Sequence, residues 1–349
     1  MWSSFNLKIM EEKRKVYYNI LDKRPVTAFY YDIILEAFER AGYEVLTGEL
    51  YDNEIIRTLD KKRDVILYTQ VKYTPLLKIK GFKNLVFWFQ GVTPEEVYLM
   101  FGSRLKLWAF TILEKMTLSA TRISLMVSEY QFAHYKRKYG NRWVKNRPVI
   151  IMPCFNTSRV NKEAVFKNNK YNNNVFCYSG GMAKWQCFDR IAKIYSEVEK
   201  RKPESFLKVL TFQTEEAIEI VKGLGIKNYS VYSVPPEKVS EELSVCKFGF
   251  ILREDNIINN VATPTKFGNY IENGLIPIYT DATRSFADAA KDLKHVLCVT
   301  YDNAVEKICG FMEINISPDD VYAEYSELFS DYYNREKYIQ QIKEEVNRL

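Results

Sequence analysis

The sequence lacks the short motifs that mark several large enzyme classes. It has no G-x-G-x-x-G dinucleotide fingerprint, no Walker A loop and no G-x-S-x-G nucleophile elbow. The sequence therefore gives no motif-based support for a dehydrogenase, a P-loop nucleotidase or a serine hydrolase. Asp-x-Asp is absent as well, which argues against the metal-dependent glycosyl transfer of single-domain enzymes.

Metal ligands and long apolar runs are also scarce. Only two histidines occur in 349 residues, and the six cysteines form no C-x-x-C pair, so we expect reduced thiols and no metal site. No apolar run reaches the ~20 residues of a membrane-spanning helix. No long apolar stretch follows residues 1–5, as it would in a signal peptide. These features predict a cytoplasmic protein.

The sequence does have ample apolar material and an uneven charge. Hydrophobic residues make up 47% and aromatic residues 15%, and the length favours two domains. Residues 1–150 carry 25 Lys+Arg against 16 Asp+Glu, a net +9, whereas the remainder carries 25 against 28, a net −3. The first half therefore suits an anionic partner such as anionic lipid or a lipid-diphosphate acceptor. No nucleic-acid motif accompanies this charge, so we expect no nucleic acid.

Both halves alternate between strand and helix patterns. Continuous apolar runs such as 84–89 and 248–252 are typical of buried parallel strands, and residues 94 to about 116 predict a long helical region. Residues 161–174, rich in asparagine and lysine, predict a linker between the halves. The fold class is therefore α/β, with two Rossmann-like, doubly wound domains facing each other across a cleft.

The most informative stretch is residues 262–278. Thr263 is expected to accept from the first free backbone N–H groups of a short helix, with Pro264 at the first helical position and Gly274 just past the end. The positive end of such a helix, with Lys266 in its first turn, suits a phosphorylated ligand.

Two other segments could contribute to the same site. Gly180, Gly181 and Lys184 follow the first strand of the second half, where glycines let a ligand approach the backbone. The alternative is a tight turn with a solvated lysine. Arg253 follows another strand and could pair with a phosphate. It could equally form an internal salt bridge to Glu254 or Asp255.

In this order, the segments resemble the donor-binding half of GT-B glycosyltransferases of the family 4 type, especially those that make bacterial capsule, O-antigen or exopolysaccharide. The resemblance covers roughly residues 175–300, and its most specific part is the P-T-K-F-G-x-Y…G-L-x-P run starting at Pro264. It implies a nucleoside-diphosphate sugar as donor, a glycan or lipid-linked glycan as acceptor, and retaining, hexosyltransferase-like transfer without metal or cofactor.

The resemblance also implies domains and residue roles. Residues 1–160 would bind the acceptor, 161–329 would bind the donor, and 330–349 would pack back on the first domain. Residues expected to stabilise the leaving diphosphate are Lys184, Arg253 and Lys266. Residues expected to hold the nucleotide sugar are Gly180, Gly181, Val234, Thr265, Phe267, Asn269 and Glu272. Residues expected on the acceptor side are Gln90, Glu95 and Glu96, although Glu95 and Glu96 also suit the first turn of a helix.

Two positions depart from the family pattern. Asn269 stands where a ribose-holding glutamate is usual, and Gly181 stands where an arginine is usual. Glu272, one helical turn on from Asn269, and Arg253 are expected to compensate. The departures leave open a second interpretation, a weak or inactive partner subunit that supports another glycosyltransferase.

One helical segment predicts a membrane contact. Residues 104–122 combine Arg104, Lys106 and Trp108 with further basic and apolar residues, as in helices that lie on an anionic membrane surface. The alternative is a core helix with a solvated face. Peripheral contact with the inner face of the membrane, and association with a partner protein or a second copy, therefore remain open.

Overall fold

The computed structural model describes residues 13–23, 25–50, 53–144 and 147–349. The stretch tested for a signal peptide, residues 1–5, lies outside them. The described chain forms two six-stranded parallel sheets, each covered by helices.

The first sheet has the strand order β2-β1-β3-β4-β5-β6, with every neighbouring pair parallel. Strands β3 to β5 are buried along their whole length, as their continuous apolar runs predict. The strand bounds are β1 Lys15–Asn19, β2 Glu44–Gly48, β3 Val65–Tyr68, β4 Asn84–Phe89, β5 Ile123–Met126 and β6 Val149–Ile151.

The helices of this lobe are α1 Pro25–Arg40, α2 Asn53–Thr58, α3 Thr74–Ile79, α4 Thr93–Phe101, α5 Arg104–Ala120 and α6 Glu129–Tyr139. The long helical region expected over residues 94 to about 116 consists of two helices, α4 and α5. Gly102 adopts a left-handed conformation (φ 63°) that ends α4, and Ser103 Oγ accepts from Lys106 N to begin α5.

The second sheet has the order β12-β11-β10-β7-β8-β9 and is also parallel. Because the chain leaves β7 in one direction and returns at β10 on its other side, the carboxyl ends of β7 and β10 flank the topological switch point, where ligands bind in such sheets. The strand bounds are β7 Val175–Ser179, β8 Phe206–Leu210, β9 Tyr229–Tyr232, β10 Phe248–Ile251, β11 Ile276–Tyr279 and β12 Leu297–Cys298.

The remaining helices are α7 Lys162–Val165, α8 Phe188–Arg201, α9 Thr214–Gly223, α10 Val239–Leu243, α11 Ile257–Val261, α12 Thr265–Glu272, α13 Arg284–Ala289, α14 Ala304–Met312, α15 Pro318–Asp331 and α16 Arg335–Val346. Short 3₁₀ helices are Ile20–Asp22, Val71–Tyr73, Lys170–Asn172, Lys184–Gln186 and Pro236–Lys238.

The last helix, α16, packs along α1 of the first lobe. Arg335 pairs with Glu36, and Arg40 pairs with Glu336. Tyr43 Oη donates to the carbonyl of Val346, the last residue of α16, at 3.4 Å. The predicted fold class is confirmed, including the C-terminal helix that returns to the first lobe.

The segment 161–174 is packed, which corrects the expectation of a linker defined by its polar composition. The Nζ of Lys170 donates to the carbonyls of Ala164 and Asn273, and Tyr171 Oη donates to the carbonyl of Gly274 at 2.9 Å. Burial lowers the pKa of Lys170 to about 7. These donors satisfy carbonyls at and just beyond the C-terminal end of α12, so the segment fixes the helix that the sequence singles out.

Candidate functional site

The N-terminal end of α12 lies against the loop that follows β7. Gly180, in that loop, has a φ of 142°, a conformation that L-residues rarely adopt. A Cβ built on Gly180 would lie 2.5 Å from both Cε and Nζ of Lys266. The ammonium group of Lys266 also lies 4.3 Å from the ring centroid of Tyr178. A residue with a Cβ would be strained here by its φ, and its Cβ would also displace the end of the Lys266 side chain.

Arg253, which is buried, and Lys266, which is half-buried, are two cations that share one neutral acceptor. Lys266 Nζ and Arg253 Nη2 both donate to Gln186 Oε1, each at 2.6 Å. Arg253 Nη1 also donates to the carbonyl of Trp185 at 2.9 Å. Burial, followed by the charge of Arg253, lowers the pKa of Lys266 well below its usual value, and burial also lowers the pKa of Arg253.

Within the described part of the chain, no ion pair joins either cation to a carboxylate. The two acids that follow Arg253 pair elsewhere, Glu254 with Arg190 at 2.5 Å and Asp255 with Arg284 at 3.5 Å. The internal salt bridge that the sequence left open for Arg253 is therefore not formed. Buried charges are usually paired because desolvation penalises them, so this site is electrostatically suited to an anion.

The start of α12 adds backbone donors to this site. Pro264 is the N-cap residue, and no side chain of the described residues caps the helix. The expectation that Thr263 caps it is wrong, since Thr263 Oγ1 accepts instead from Cys154 N of the connecting chain at 2.8 Å. The first N–H groups and the positive end of the helix dipole therefore remain available to an anionic ligand.

A cavity of about 550 Å³ opens beside this helix start, and we call it the α12 cavity. Its volume falls within the range of small-molecule sites, roughly 300–1,000 Å³. Predicted residues that line it are Gly180, Gly181, Val234, Thr265, Asn269 and Glu272. They come from the loops after β7 and β9 and from α12, so the structure brings together six residues from three distant parts of the chain.

Asn269 and Glu272 both face the α12 cavity, as their spacing predicts. The side-chain amide of Asn269 makes no hydrogen bond to any described residue, so its donors and acceptor are available to a ligand. Glu272 Oε1 accepts from Thr157 Oγ1 at 3.0 Å, and burial raises the pKa of Glu272.

Three predicted donor-site residues, Lys184, Lys266 and Phe267, line neither the α12 cavity nor the cavity described next. The side chain of Phe267 is buried, stacked on Phe286 with ring centroids 3.5 Å apart. Lys184 is exposed at the start of a 3₁₀ helix. Gln186, two residues after Lys184, accepts hydrogen bonds from both Arg253 and Lys266. Nothing in the sequence distinguishes it from any other polar loop residue.

A second cavity of about 320 Å³ lies between the lobes, and we call it the interlobe cavity. Gln90 and Glu96 line it from the first lobe, Gln186 and Arg253 line it from the second, and Thr265 borders both cavities. Its wall contains the stacked rings of Tyr30 and Trp88, with centroids 4.3 Å apart. The Tyr30 Oη and Trp88 Nε1 atoms are buried without a hydrogen-bond partner.

The two acidic residues expected on the acceptor side have different environments. Glu96 Oε1 accepts from Val92 N at 3.1 Å, and burial raises the pKa of Glu96. Glu95 does not line the cavity. Burial alone would raise its pKa, but hydrogen bonds from His134 and Lys138 lower it overall, and Lys138 Nζ lies 2.7 Å from Glu95 Oε1. Glu95 thus belongs to the ion-pair network of the first lobe.

Two absences hold for the described residues, 13–23, 25–50, 53–144 and 147–349. Among them, no group of three or more His, Cys, Asp or Glu side chains is arranged to hold a metal ion. None of their helices combines the length and the apolarity needed to cross a membrane.

Comparison with known proteins finds relatives by structure only. No protein-family model matches the chain, and no curated protein sequence matches it. HepE from Anabaena in complex with UDP-glucose superposes with a TM-score of 0.72 at 11% identity, covering 96% of this chain and 100% of HepE. Sucrose-phosphate synthase from Thermosynechococcus elongatus gives a TM-score of 0.68 at 12% identity, covering 96% and 99%.

A third similar structure is α,α-trehalose 6-phosphate synthase from Burkholderia multivorans, with a TM-score of 0.57 at 10% identity, covering 91% of this chain and 76% of that one. At such identities the likeness concerns the fold. These neighbours are GT-B glycosyltransferases, and with two six-stranded Rossmann-like domains facing across a cleft, the chain has the GT-B fold.

Proposed function

We propose that this protein is a glycosyltransferase that moves a sugar, a hexose in the expected case, from a nucleoside-diphosphate sugar to a glycan or lipid-linked glycan acceptor. By the family resemblance, we place it in bacterial surface polysaccharide synthesis, at the cytoplasmic side of the membrane. The observation that carries the proposal is the pair of cations without carboxylate partners, Arg253 and Lys266, held by a neutral amide at the start of α12.

A diphosphate would balance the positive charges of Arg253 and Lys266. Two phosphate groups would replace the missing carboxylates, accept from both cations and lie at the positive end of α12. When the bond to the sugar breaks, negative charge would develop on the leaving diphosphate, beside these two cations. Fixed charges in a dry site stabilise such a transition state without reorganising during the reaction.

The nucleoside would occupy the α12 cavity. Its ribose hydroxyls would bond to the amide of Asn269 and to Glu272, and its base would lie near Val234 and the Pro235–Pro236 turn. The HepE neighbour was crystallised with UDP-glucose, which supports a sugar nucleotide as the ligand of this fold.

The transferred sugar and the acceptor would meet in the interlobe cavity. Thr265 borders both cavities, so a donor whose diphosphate lies at α12 can direct its sugar into the second one. The unpaired groups of Tyr30 and Trp88, with Gln90 and Glu96, offer partners for sugar hydroxyls. In the retaining course implied by the resemblance, the acceptor oxygen bonds to the anomeric carbon on the face that the diphosphate leaves. Its proton passes to the departing phosphate oxygen.

A thermal-shift screen followed by a hydrolysis assay tests this proposal. We expect one of the UDP-, GDP- or dTDP-sugars to raise the unfolding temperature, because a ligand that binds only the native state stabilises it. The same nucleotide sugar should be slowly hydrolysed, releasing the nucleoside diphosphate. No shift with any sugar nucleotide would contradict the proposal.

The rival function is that of a partner subunit without catalytic activity. Asn269 favours it, because a neutral amide binds ribose less strongly than the carboxylate usual at this position. Both functions predict a thermal shift, but only the transferase predicts hydrolysis that depends on Lys266. Nucleotide binding without hydrolysis or transfer would select the partner subunit.

A further inference from the structure

The hairpin formed by α4 and α5 exposes a cluster of large apolar side chains. Phe101 is 60% exposed, Leu105 75% and Trp108 64%. Single exposed apolar residues are ordinary, but a contiguous group of this size marks an interaction surface. We call this group the α4–α5 tip, and its members are Tyr98, Leu99, Met100, Phe101, Leu105, Trp108 and Ile112.

The geometry of the two helices explains why these residues lie together. Leu105, Trp108 and Ile112 recur at positions i, i+3 and i+7, so they form one stripe along α5. The residues of α5 that are buried against the lobe, such as Thr117 and Leu118, form a different stripe. Gly102 turns the chain in a left-handed conformation, which brings the last turn of α4 beside the first turn of α5.

The charge around the α4–α5 tip has one sign. Residues 71–120 expose six cationic side chains: Lys72, Lys78, Lys83, Arg104, Lys106 and Lys115. Of these, Lys106 Nζ lies only 3.9 Å from the ring centroid of Phe101. Arg104 and Lys106 lie in the first turn of α5, at the tip itself, whereas α3 meets α5 near its other end, where Thr74 Oγ1 lies 2.7 Å from Thr117 Oγ1.

The three carboxylates of the same segment do not offset this charge at the surface. Glu114 is fully buried and pairs with Lys138 at 3.1 Å, and Glu95 pairs with the same lysine. Glu96 lines the interlobe cavity. The surface beside the apolar cluster is therefore positive, which complements an anionic partner.

We propose that the α4–α5 tip docks on an anionic phospholipid bilayer. Phe101, Leu105 and Trp108 would enter the headgroup region, where tryptophan is favoured, and the surrounding lysines and arginine would lie at the lipid phosphates. A bilayer fits this surface better than a second copy of the chain. Pairing the same face around a two-fold axis would bring the cations of both copies together.

The position of α4 links this surface to the interlobe cavity. Glu96, in its first turn, lines the cavity, and Phe101, its last residue, belongs to the tip. Five residues of helix span about 8 Å. On the proposed function, this short distance would place the acceptor side of the cleft near the membrane and suit a lipid-linked acceptor. The docking itself does not depend on that function.

Vesicle sedimentation of the full chain, without nucleotide or acceptor, tests the docking. We expect binding to vesicles of equal parts phosphatidylcholine and phosphatidylglycerol and little binding to phosphatidylcholine alone. Raising NaCl from about 0.1 M to about 1 M should weaken the binding, because the Debye length falls from ~10 to ~3 Å.

A triple variant tests whether the apolar side chains of the α4–α5 tip are responsible for vesicle binding. Phe101→Ser, Leu105→Ser and Trp108→Ser together should weaken vesicle binding at least about tenfold, since each removes apolar area that would enter the bilayer. Since all three side chains are already exposed, the unfolding temperature should be retained. The matched control is Ile314→Ser, an exposed apolar residue of the other lobe, which should bind vesicles like the wild type.

Three outcomes would overturn the proposal. They are no binding of the wild type to the anionic vesicles, equal binding by the triple variant, and a wild-type dimer that the triple variant converts to a monomer while vesicles remain unbound. The last result would assign the surface to a second copy of the chain. Because no donor is present, failure here is distinct from failure of the glycosyltransferase proposal.

Discussion

Lys266 occupies the space that a side chain on Gly180 would need, with its Cε and Nζ atoms only 2.5 Å from an ideal Cβ at that position. The two residues lie 86 positions apart in the sequence, on different elements of the second lobe. Their close approach fixes the ammonium group at the start of α12. Gly180 therefore contributes to the anion site because, without a side chain, it leaves space for the ammonium group of Lys266.

Gly180→Ala should impair nucleotide binding. The new methyl group displaces the end of Lys266, and a residue other than glycine at a φ of 142° is strained by about 1–3 kcal/mol. We expect at least about tenfold weaker binding of the nucleotide sugar, equal to ~1.4 kcal/mol, measured by titration calorimetry. Gly310→Ala in α14, where nothing lies within 4 Å, is the control and should bind normally. Normal binding by Gly180→Ala would contradict the role assigned to Lys266.

Gln186→Glu should raise the stability of the free protein but lower its affinity for the nucleotide sugar. A carboxylate between Arg253 and Lys266 would pair with both cations and raise the unfolding temperature of the free protein. It would also neutralise part of the charge that attracts the diphosphate and so weaken nucleotide binding. Gln186→Met, which removes the shared acceptor, should instead destabilise the free protein. A Gln186→Glu protein that binds the nucleotide more tightly would refute this account.

Asn269→Ala tests the ribose contact. Loss of a neutral hydrogen-bonding side chain should weaken binding of the ribonucleotide several-fold, in keeping with a contribution of about 1 kcal/mol. Binding of the 2′,3′-dideoxy analogue should change little, because that ligand lacks the partner hydroxyls. An equal loss with both ligands would show that Asn269 acts on the cavity rather than on the ribose.

Lys170 should make the stability of the protein depend on pH. Its pKa is about 7 in the native state and ~10.4 when unfolded, so between these values the unfolded chain binds a proton that the native chain lacks. The free energy of unfolding should therefore rise with pH by about 1.4 kcal/mol per unit between pH ~7 and ~10, and this contribution should be flat below ~7.

Urea unfolding of the wild type and Lys170→Met over this pH range measures the effect as a difference between the two proteins. The difference should increase with pH, since background titrations cancel. Replacement of the exposed Lys222 by Met controls for the loss of one charge and should give a constant difference. A constant difference for Lys170→Met would show that this lysine is not buried as described.

Much of the fold follows from local patterns in the sequence. Continuous apolar runs at β4 and β10 mark buried parallel strands, and the glycine after α12 marks its end. The order of the Gly180, Arg253 and Lys266 segments predicts their convergence, because each follows or precedes a strand of one parallel sheet. Such features can be recognised from a residue and its neighbours in the sequence.

Long-range contacts explain what the sequence does not reveal. Gln186 acquires its role because Arg253 and Lys266, 67 and 80 positions away, both reach it. Thr263 looks like a cap until the chain near Cys154 approaches it. Segment 161–174 looks solvated because the partners of its few buried residues lie at the far end of α12.

Calorimetric titration of the wild type and Lys266→Met with the nucleotide sugar selected by the thermal-shift screen tests the central claim most directly. We predict one-to-one binding by the wild type and roughly 10- to 100-fold weaker binding by Lys266→Met, because a charge-assisted hydrogen bond contributes about 1.5–3 kcal/mol. Removal of a cation that has no carboxylate partner should leave the unfolding temperature unchanged or higher. Equal affinity in both proteins, with the variant folded, would contradict the assignment of this site to a diphosphate.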